Sequence, residues 1–228
     1  MTNGLRRSIL FLLCTLPGGA LAATLIESRD GSGELTQMWI EGDMARFQQP
    51  GKEGHMLMDL RHGRLYGVDD VRKQAMEIDL GNSTAQTEAG KLDARLEDKG
   101  AGPEIAGYPT RRYLLTGAGE ACGEYFLSKR ALEHKDIRRM ADSFRNMPTD
   151  ADASDAACDL AEHYAVTRFP ELGFPMRQVS SEGVQHEVVR IQANAKAPGS
   201  FSIPADYRRI TMQQMMEEML RQQQNLGR

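Results

Sequence analysis

Between Thr24 and Leu80 apolar positions recur at every second residue in short runs, and each run stops at turn-forming residues. That spacing predicts strands at Thr24–Ser28, Leu35–Glu41, Met44–Gln48, His55–Leu60, Arg64–Val68 and Val71–Leu80. The punctuation is Asp30-Gly31-Ser32-Gly33, Gly42-Asp43, Pro50-Gly51, His62-Gly63 and Asp69-Asp70. Within the runs Leu35 and Trp39 share a face, Met56, Met58 and Leu60 alternate with Leu57 and Asp59, and Met76, Ile78 and Leu80 oppose Glu77 and Asp79. Short runs about ten residues apart, joined by hairpin chemistry, read as an antiparallel meander.

Beyond this the period changes. Ser83–Lys99 offers Ala89, Leu92 and Leu96 as a thin apolar stripe and reads as a short amphipathic helix or a crossover, ended by Gly100-Ala101-Gly102-Pro103. Ile105–Leu127 reads as a hairpin that extends the sheet, with the turn at Gly117-Ala118-Gly119, where glycines can take positive φ. Lys135–Met147 places Ile137, Met140, Ala141, Phe144 and Met147 on one helical face, and Pro148 stops it. A second helix is expected from Ser154 to about Val166 with Ala157, Leu160, Ala161 and Tyr164 buried. Strands return at Gly173–Ser180 and Gln185–Ala193, followed by a short segment at Ser200–Ile203. The chain finishes in a helix from about Met212 to Gln224, opened by a Thr211/Gln214 capping box. Its apolar stripe is Met212, Met215, Met216, Met219 and Leu220, too narrow for a fully buried helix, so it is expected either to pack on the sheet or to serve as a partner-docking face.

The N-terminus carries a different signal. Arg6 and Arg7 precede a mostly apolar run, Ser8–Leu16, and Ala20-Leu21-Ala22 supplies the small-x-small pattern of a signal peptidase site. Residues 1–22 are therefore expected to be a signal peptide cleaved after Ala22, with Ala23 as the neighbouring option. Leu13 before Cys14 does not fit a lipobox, so a lipoprotein is not expected. The reading is a periplasmic protein with a domain over 23–210 and a terminal Met/Gln-rich helix over 211–228. Loss of the leader removes two arginines and no acids, which takes the formal charge from −4 to −6. An acidic chain with mixed signs gives no electrostatic reason to bind nucleic acid.

Cys122 and Cys158 remain after cleavage, and an oxidising compartment favours a disulfide between them. Two buried thiols or half of a metal site are the competing readings.

Catalytic and metal patterns are few. The histidines, His55, His62, His134, His163 and His186, lack metal-site spacing, and His186-Glu187 has no second histidine. Asp150, Asp152 and Asp155 begin like a calcium loop, but Asp155 stands where glycine is needed and Ala161 where glutamate is needed. Gly117, Gly119 and Gly123 miss dinucleotide spacing. No nucleophile and base emerge, so the chain reads as a non-enzymatic protein without a cofactor. Its methionines number 13, of which Met1 begins the chain. Their flexible thioethers suit core filling or the lining of a lipid- or acyl-binding surface. Thioethers also suit Cu(I), which makes copper binding by the C-terminal methionines a remote alternative.

Three stretches carry a resemblance. WIEGDMARFQQ at Trp39–Gln49 looks like "w-i-x-g-d-k-x-R"; AGYPTRRYLLTGAGEACGEYFLS at Ala106–Ser128 looks like "i-a-G-y-x-t-x-x-Y-x-v-x-x-x-g-x-x-c-x-x-y-l-s". GFPMRQVS at Gly173–Ser180 and FSIPADYRRI at Phe201–Ile210 look like "G-f-P-l-x" and "F-x-v-P-x-x-Y". Together they resemble an uncharacterised family of exported bacterial proteins, a domain of unknown function, similar in turn to the outer-membrane lipoprotein-carrier (LolA/LolB-like) superfamily. That resemblance implies an α+β fold: a strongly curved antiparallel sheet forming an incomplete β-barrel, its concave face covered by α-helices. It implies shelter for acyl chains of lipids or lipoproteins, or envelope sensing through a regulatory partner. The expected function is binding of a lipid, a lipoprotein acyl chain or an apolar peptide, with Trp39, Phe47, Met56, Met58, Met76 and Ile78 as the lining. An interaction protein that docks an envelope protein through its C-terminal helix or sheet edge is the alternative.

Overall fold

The computed structural model describes residues 23–78, 93–146, 157–211, 213–217 and 220–221. Residues 1–22, where a leader is expected, the acidic run Asp150–Asp155, most of the 83–99 stretch, and Met212 and Met219 lie outside them.

Among the described residues twelve strands form one open sheet: β1 (Ala23–Asp30), β2 (Leu35–Glu41), β3 (Met44–Gln48), β4 (His55–Asp59), β5 (Arg64–Asp69), β6 (Gln74–Ile78), β7 (Arg95–Ala101), β8 (Arg111–Gly117), β9 (Glu120–Ser128), β10 (Phe174–Ser180), β11 (Gly183–Ala195) and β12 (Arg208–Ile210). Their spatial order is β12-β6-β5-β4-β3-β2-β1-β11-β10-β9-β8-β7, so β12 and β7 are its two edges and the sheet does not close on itself. The expected meander is present as β1–β6, each strand antiparallel to the next. β11 joins β1 to β10 and so unites the meander with the β8–β9 hairpin. Among the described residues, the sheet is accompanied by α1 (Lys135–Ser143), α2 (Ala157–Leu172), single 3-10 turns at Ala131–Glu133 and Phe144–Asn146, and a helical segment at 213–217.

Several local expectations change. Residues 95–101 are strand β7 and not helix: Leu96 lies opposite Leu115 and Asp98 opposite Tyr113. Pairing with β8 and partial burial of Leu96 against the core override the weak helical stripe. The last meander strand is shorter than expected, because Val71–Lys73 form the turn that leads into β6. Helix α2 runs on to Leu172, past Pro170 in its last turn, and buries Ala165 and Phe169 in place of Ala157 and Tyr164. Ser200–Ile203 is not a strand, whereas Arg208–Ile210 adds to the sheet edge parallel to β6. In the β8–β9 turn it is Ala118 (φ 51°) and Gly119 (φ 85°) that carry positive φ.

Strand alternation sends adjacent residues to opposite faces, and each face of the meander has a different packing partner over part of its length. Ile26, Ile40, Ala45 and Met58 pack with Ile137, Met140 and Ala141 of α1. On the other face the segment after β11 crosses the sheet: Ala197 and Phe201 pack on Leu25, Trp39 and Ala195, then Ile203 and Tyr207 on Leu57, Val68 and Ala75. Helix α2 packs Ala161, Ala165 and Phe169 against Tyr113, Leu115, Tyr125 and Leu127 of the β8–β9 hairpin, and the Cys122–Cys158 disulfide joins the two.

Candidate functional site: a methionine-lined cleft

Register aligns one row of side chains across eight strands on the α1 side of the sheet. Ile191, Ile26, Met38, Phe47, Met56, Gly67, Met76 and Ile210 stand opposite one another in succession. A second row on the same face runs Thr24, Ile40, Ala45, Met58, Leu65 and Ile78. Over β1 and β2 these rows are covered by α1. Over β3–β6 they line a cleft of about 1090 Å³, bounded above by Met140 of α1, Phe144 just beyond it, and Met215 of the helical segment 213–217. The floor is Phe47, Met56, Met58, Leu65, Gly67 and Met76, with Ile210 at the sheet edge. Five methionines thus meet in one cavity.

Phe47, Met56, Met58 and Met76 of the expected lining are brought together here. Ile78 lies on the same face in the second row, one step from the cavity wall. Trp39 is on the opposite face, buried against Leu25, Ala195, Ala197 and Phe201. Of the C-terminal stripe, Met215 enters the cleft, while Met216 and Leu220 are more than half exposed. Thr211 and Gln214 make the reciprocal capping bonds: Gln214 N–H donates to Thr211 Oγ1 at 3.2 Å and Thr211 N–H to Gln214 Oε1 at 2.9 Å. Leu65, Gly67, Met140, Phe144 and Ile210 were not anticipated as lining. A glycine inside a strand, which often marks a bulge, a tight bend or a close approach to the backbone, was the available signal.

The rim is polar. Lys52 Nζ lies 2.8 Å from Glu34 Oε1, and Arg72 Nε 3.8 Å from Asp69 Oδ2. On the face away from the cleft, where Val68 packs with Tyr207, His55 has an almost fully buried side chain and sets Nδ1 3.0 Å from Asp70 Oδ2. Burial first, and the Arg46 cation second, hold His55 below its ordinary pKa despite the Asp70 carboxylate, which is half exposed and also accepts the Tyr207 hydroxyl at 2.8 Å. Arg46 is buried on the Trp39 face, where its guanidinium donates to Ser200 O at 3.1 Å and burial lowers its pKa. Such a site offers apolar contact inside and paired charges at the mouth, an arrangement suited to excluding water from an apolar group. Among the described residues no three His, Cys, Asp or Glu side chains gather as a metal site.

A second, smaller cavity of about 440 Å³ lies between the Ala106-Gly107 turn and the start of α1. There the Tyr108 hydroxyl meets His134 Nε2 at 2.6 Å and ties the turn to the helix.

The fold is thus an open, largely antiparallel sheet with an apolar cleft on one face. The chain belongs to the family DUF4412, a domain of unknown function, which matches residues 25–207. No curated protein matches it. Among solved structures it is similar to the crystal structure of MucB, with TM-score 0.41 and 13% identity over 82% of this chain and 58% of that one. It is also similar to MucB in complex with MucA(peri), with TM-score 0.39 and 15% identity over 83% and 56% of the two chains. The MucA/MucB complex of Pseudomonas aeruginosa gives TM-score 0.38 and 15% identity over 83% and 57%. The chain thus aligns with less than two thirds of each of these proteins. Among the described residues no helix is long and apolar enough to cross a membrane.

Proposed function

We propose that this is an exported, periplasmic, non-enzymatic protein that holds the apolar part of a lipid, a lipoprotein acyl chain or an apolar peptide in the methionine-lined cleft. In this reading residues 1–22 are the cleaved leader, residues 23–210 curve as a half-barrel, and α1 with the terminal helix over 211–228 covers its concave face. The observation that carries it is the cavity of about 1090 Å³ floored by Phe47, Met56, Met58, Leu65 and Met76. Its size lies slightly above the range of pockets that bury drug-sized ligands, roughly 300–1,000 Å³. Thioether side chains adapt to variable apolar shapes, and each buried methylene of an acyl chain contributes about 0.8 kcal/mol. Half of a common acyl chain in the cleft is then enough for useful affinity.

Native mass spectrometry of the protein purified from a periplasmic extract is the test. The expected spectrum shows a chain beginning at Ala23 that carries a lipid-sized adduct, removable with organic solvent. A lipid-free chain that also takes up no acyl probe in titration would overturn the reading.

The outward exposure of Met216 and Leu220, at 52% and 58%, supports docking of an envelope protein on the C-terminal helix as a second reading. Its test is loss of a cross-linked partner from cells carrying Met216→Ser and Leu220→Ser.

A further inference from the structure

Gly67 is the one position in the cleft's central row without a side chain. Met56 and Met76 flank it on the adjoining strands, and Phe47 and Ile210 continue the row to either side. A Cβ built on Gly67 would meet only Met76 Cε and Ile78 Cδ1, each at 3.9 Å, which is ordinary contact distance. Its φ is not positive, and no backbone crowds it. Neither turn geometry nor close packing of the protein's own chain therefore requires glycine here. In a strand interior glycine costs stability through backbone entropy and missing contacts. What it leaves is a trough along β5 on the cleft face, running from Leu65 through Gly67 to Asp69. Met56 and Met76 form its sides, two strand spacings apart, or roughly 9–10 Å between backbones. After the side chains take their share, one unbranched hydrocarbon chain fits between them. The two ends of the trough differ: Leu65, beside Met58, closes the inner end, and Asp69, Arg72 and Gln74 line the outer one.

We propose that Gly67 is the seat of the ligand and sets its girth: a single-chain amphiphile lies along β5 with its tail towards Leu65 and its polar head at the Asp69–Arg72 rim. The inference rests on the binding reading given above and adds the ligand's shape, direction and selecting residue. A straight chain passes over Gly67, whereas a methyl-branched chain or a fused ring system meets Met56 and Met76. Side chains placed at residue 67 occupy the same space as the ligand, so affinity falls as they grow.

The test is displacement of a fluorescent apolar probe by dodecanoate, by a methyl-branched acid of equal carbon number and by a sterol. It uses the mature full chain and the variants Gly67→Ala, Gly67→Val and Gly67→Leu. Tyr66→Phe, on the other face of β5, is the control. Wild type and the control are expected to bind dodecanoate at least about tenfold more tightly than the branched acid or the sterol, the ratio that about 1.4 kcal/mol produces. The Ala, Val and Leu variants are expected to lose affinity stepwise, about a hundredfold by leucine, while far-UV circular dichroism and the thermal midpoint stay at or above wild type. Gly67→Leu binding dodecanoate like wild type, or wild type taking all three ligands equally, would overturn the seat while leaving the cleft as a binding site. A wild type that binds none of the three, nor the probe, refutes the binding reading itself.

Discussion

Cys122 on β9 and Cys158 in the first turn of α2 are bonded, with their Cα atoms 5.1 Å apart across 36 residues of sequence. The bond fastens α2 to the hairpin it covers, beside the apolar contact of Ala161 and Ala165 with Leu115. Closing a loop of this length removes chain entropy from the unfolded state, worth roughly 3–4 kcal/mol before strain. Cys122→Ala with Cys158→Ala is expected to lower the urea unfolding free energy by about that much. A reductant should move the wild-type midpoint towards that of the double variant and leave the variant's own midpoint in place.

Two glycines of the same hairpin separate two causes of glycine's use. Gly117 faces α2 so closely that a Cβ would stand 2.6 Å from Ala157 O and 2.9 Å from Ala161 Cβ, with the helix backbone in the way. Gly119 has open space around it but φ of +85°. Gly117→Val is expected to cost more than about 3 kcal/mol, because the backbone of α2 would have to move off the hairpin. Gly119→Ala should cost about 1 kcal/mol, the penalty for a side chain at positive φ. Chemical denaturation of the pair decides it; equal losses would contradict the packing described for Gly117.

His55 and His186 both have pKa values below the ordinary histidine value, in each case with burial as the leading cause. A base whose folded pKa is lowered binds fewer protons folded than unfolded as the pH drops below about 6.5. Stability is thus at its full value above that pH and is lost progressively as pH falls through the window between the two pKa values. Denaturation midpoints should fall between pH 7.5 and 5.5, and His186→Gln should flatten the slope.

The meander was legible because alternation, glycine turns and strand length all agree over residues 24–78, so local preference and final pairing point the same way. What alternation alone could not supply was which covering layer each face would meet. Trp39 and Ile40 are neighbours, both buried, yet one lies under Phe201 and the other beneath α1. An aromatic residue in a period-two run looks like ligand lining in the sequence; here the segment after β11, more than 150 residues later, covers it. Strand β7 was missed for the same kind of reason, since Leu96 acquires its strand partner only when β8 arrives. Ile210 was missed because a three-residue edge strand has too few positions to show a period. Gly67 was visible throughout, but its meaning depends on Met56 and Met76 standing on either side of it, which only the register shows.

The C-terminal helical segment makes the last separable claim. Met215 and Met216 are adjacent, but only Met215 lines the cleft, whereas Met216 is 52% exposed. If the cleft holds an apolar ligand, Met215 covers part of it, and its removal exposes that part to water. Truncation of a half-buried methionine against a ligand removes about 1 kcal/mol of contact, so Met215→Ala should speed dissociation of a bound acyl probe about fivefold in stopped-flow fluorescence. Met216→Ala should leave that rate unchanged, since its side chain points outward. The opposite pattern is expected for a protein partner, whose capture should weaken with Met216→Ala and Leu220→Ala and be indifferent to Met215→Ala. Identical dissociation rates for Met215→Ala and Met216→Ala would show that the terminal helix takes no part in retaining the ligand. Because the Thr211–Gln214 cap is untouched by all three substitutions, helix loss does not confuse the comparison.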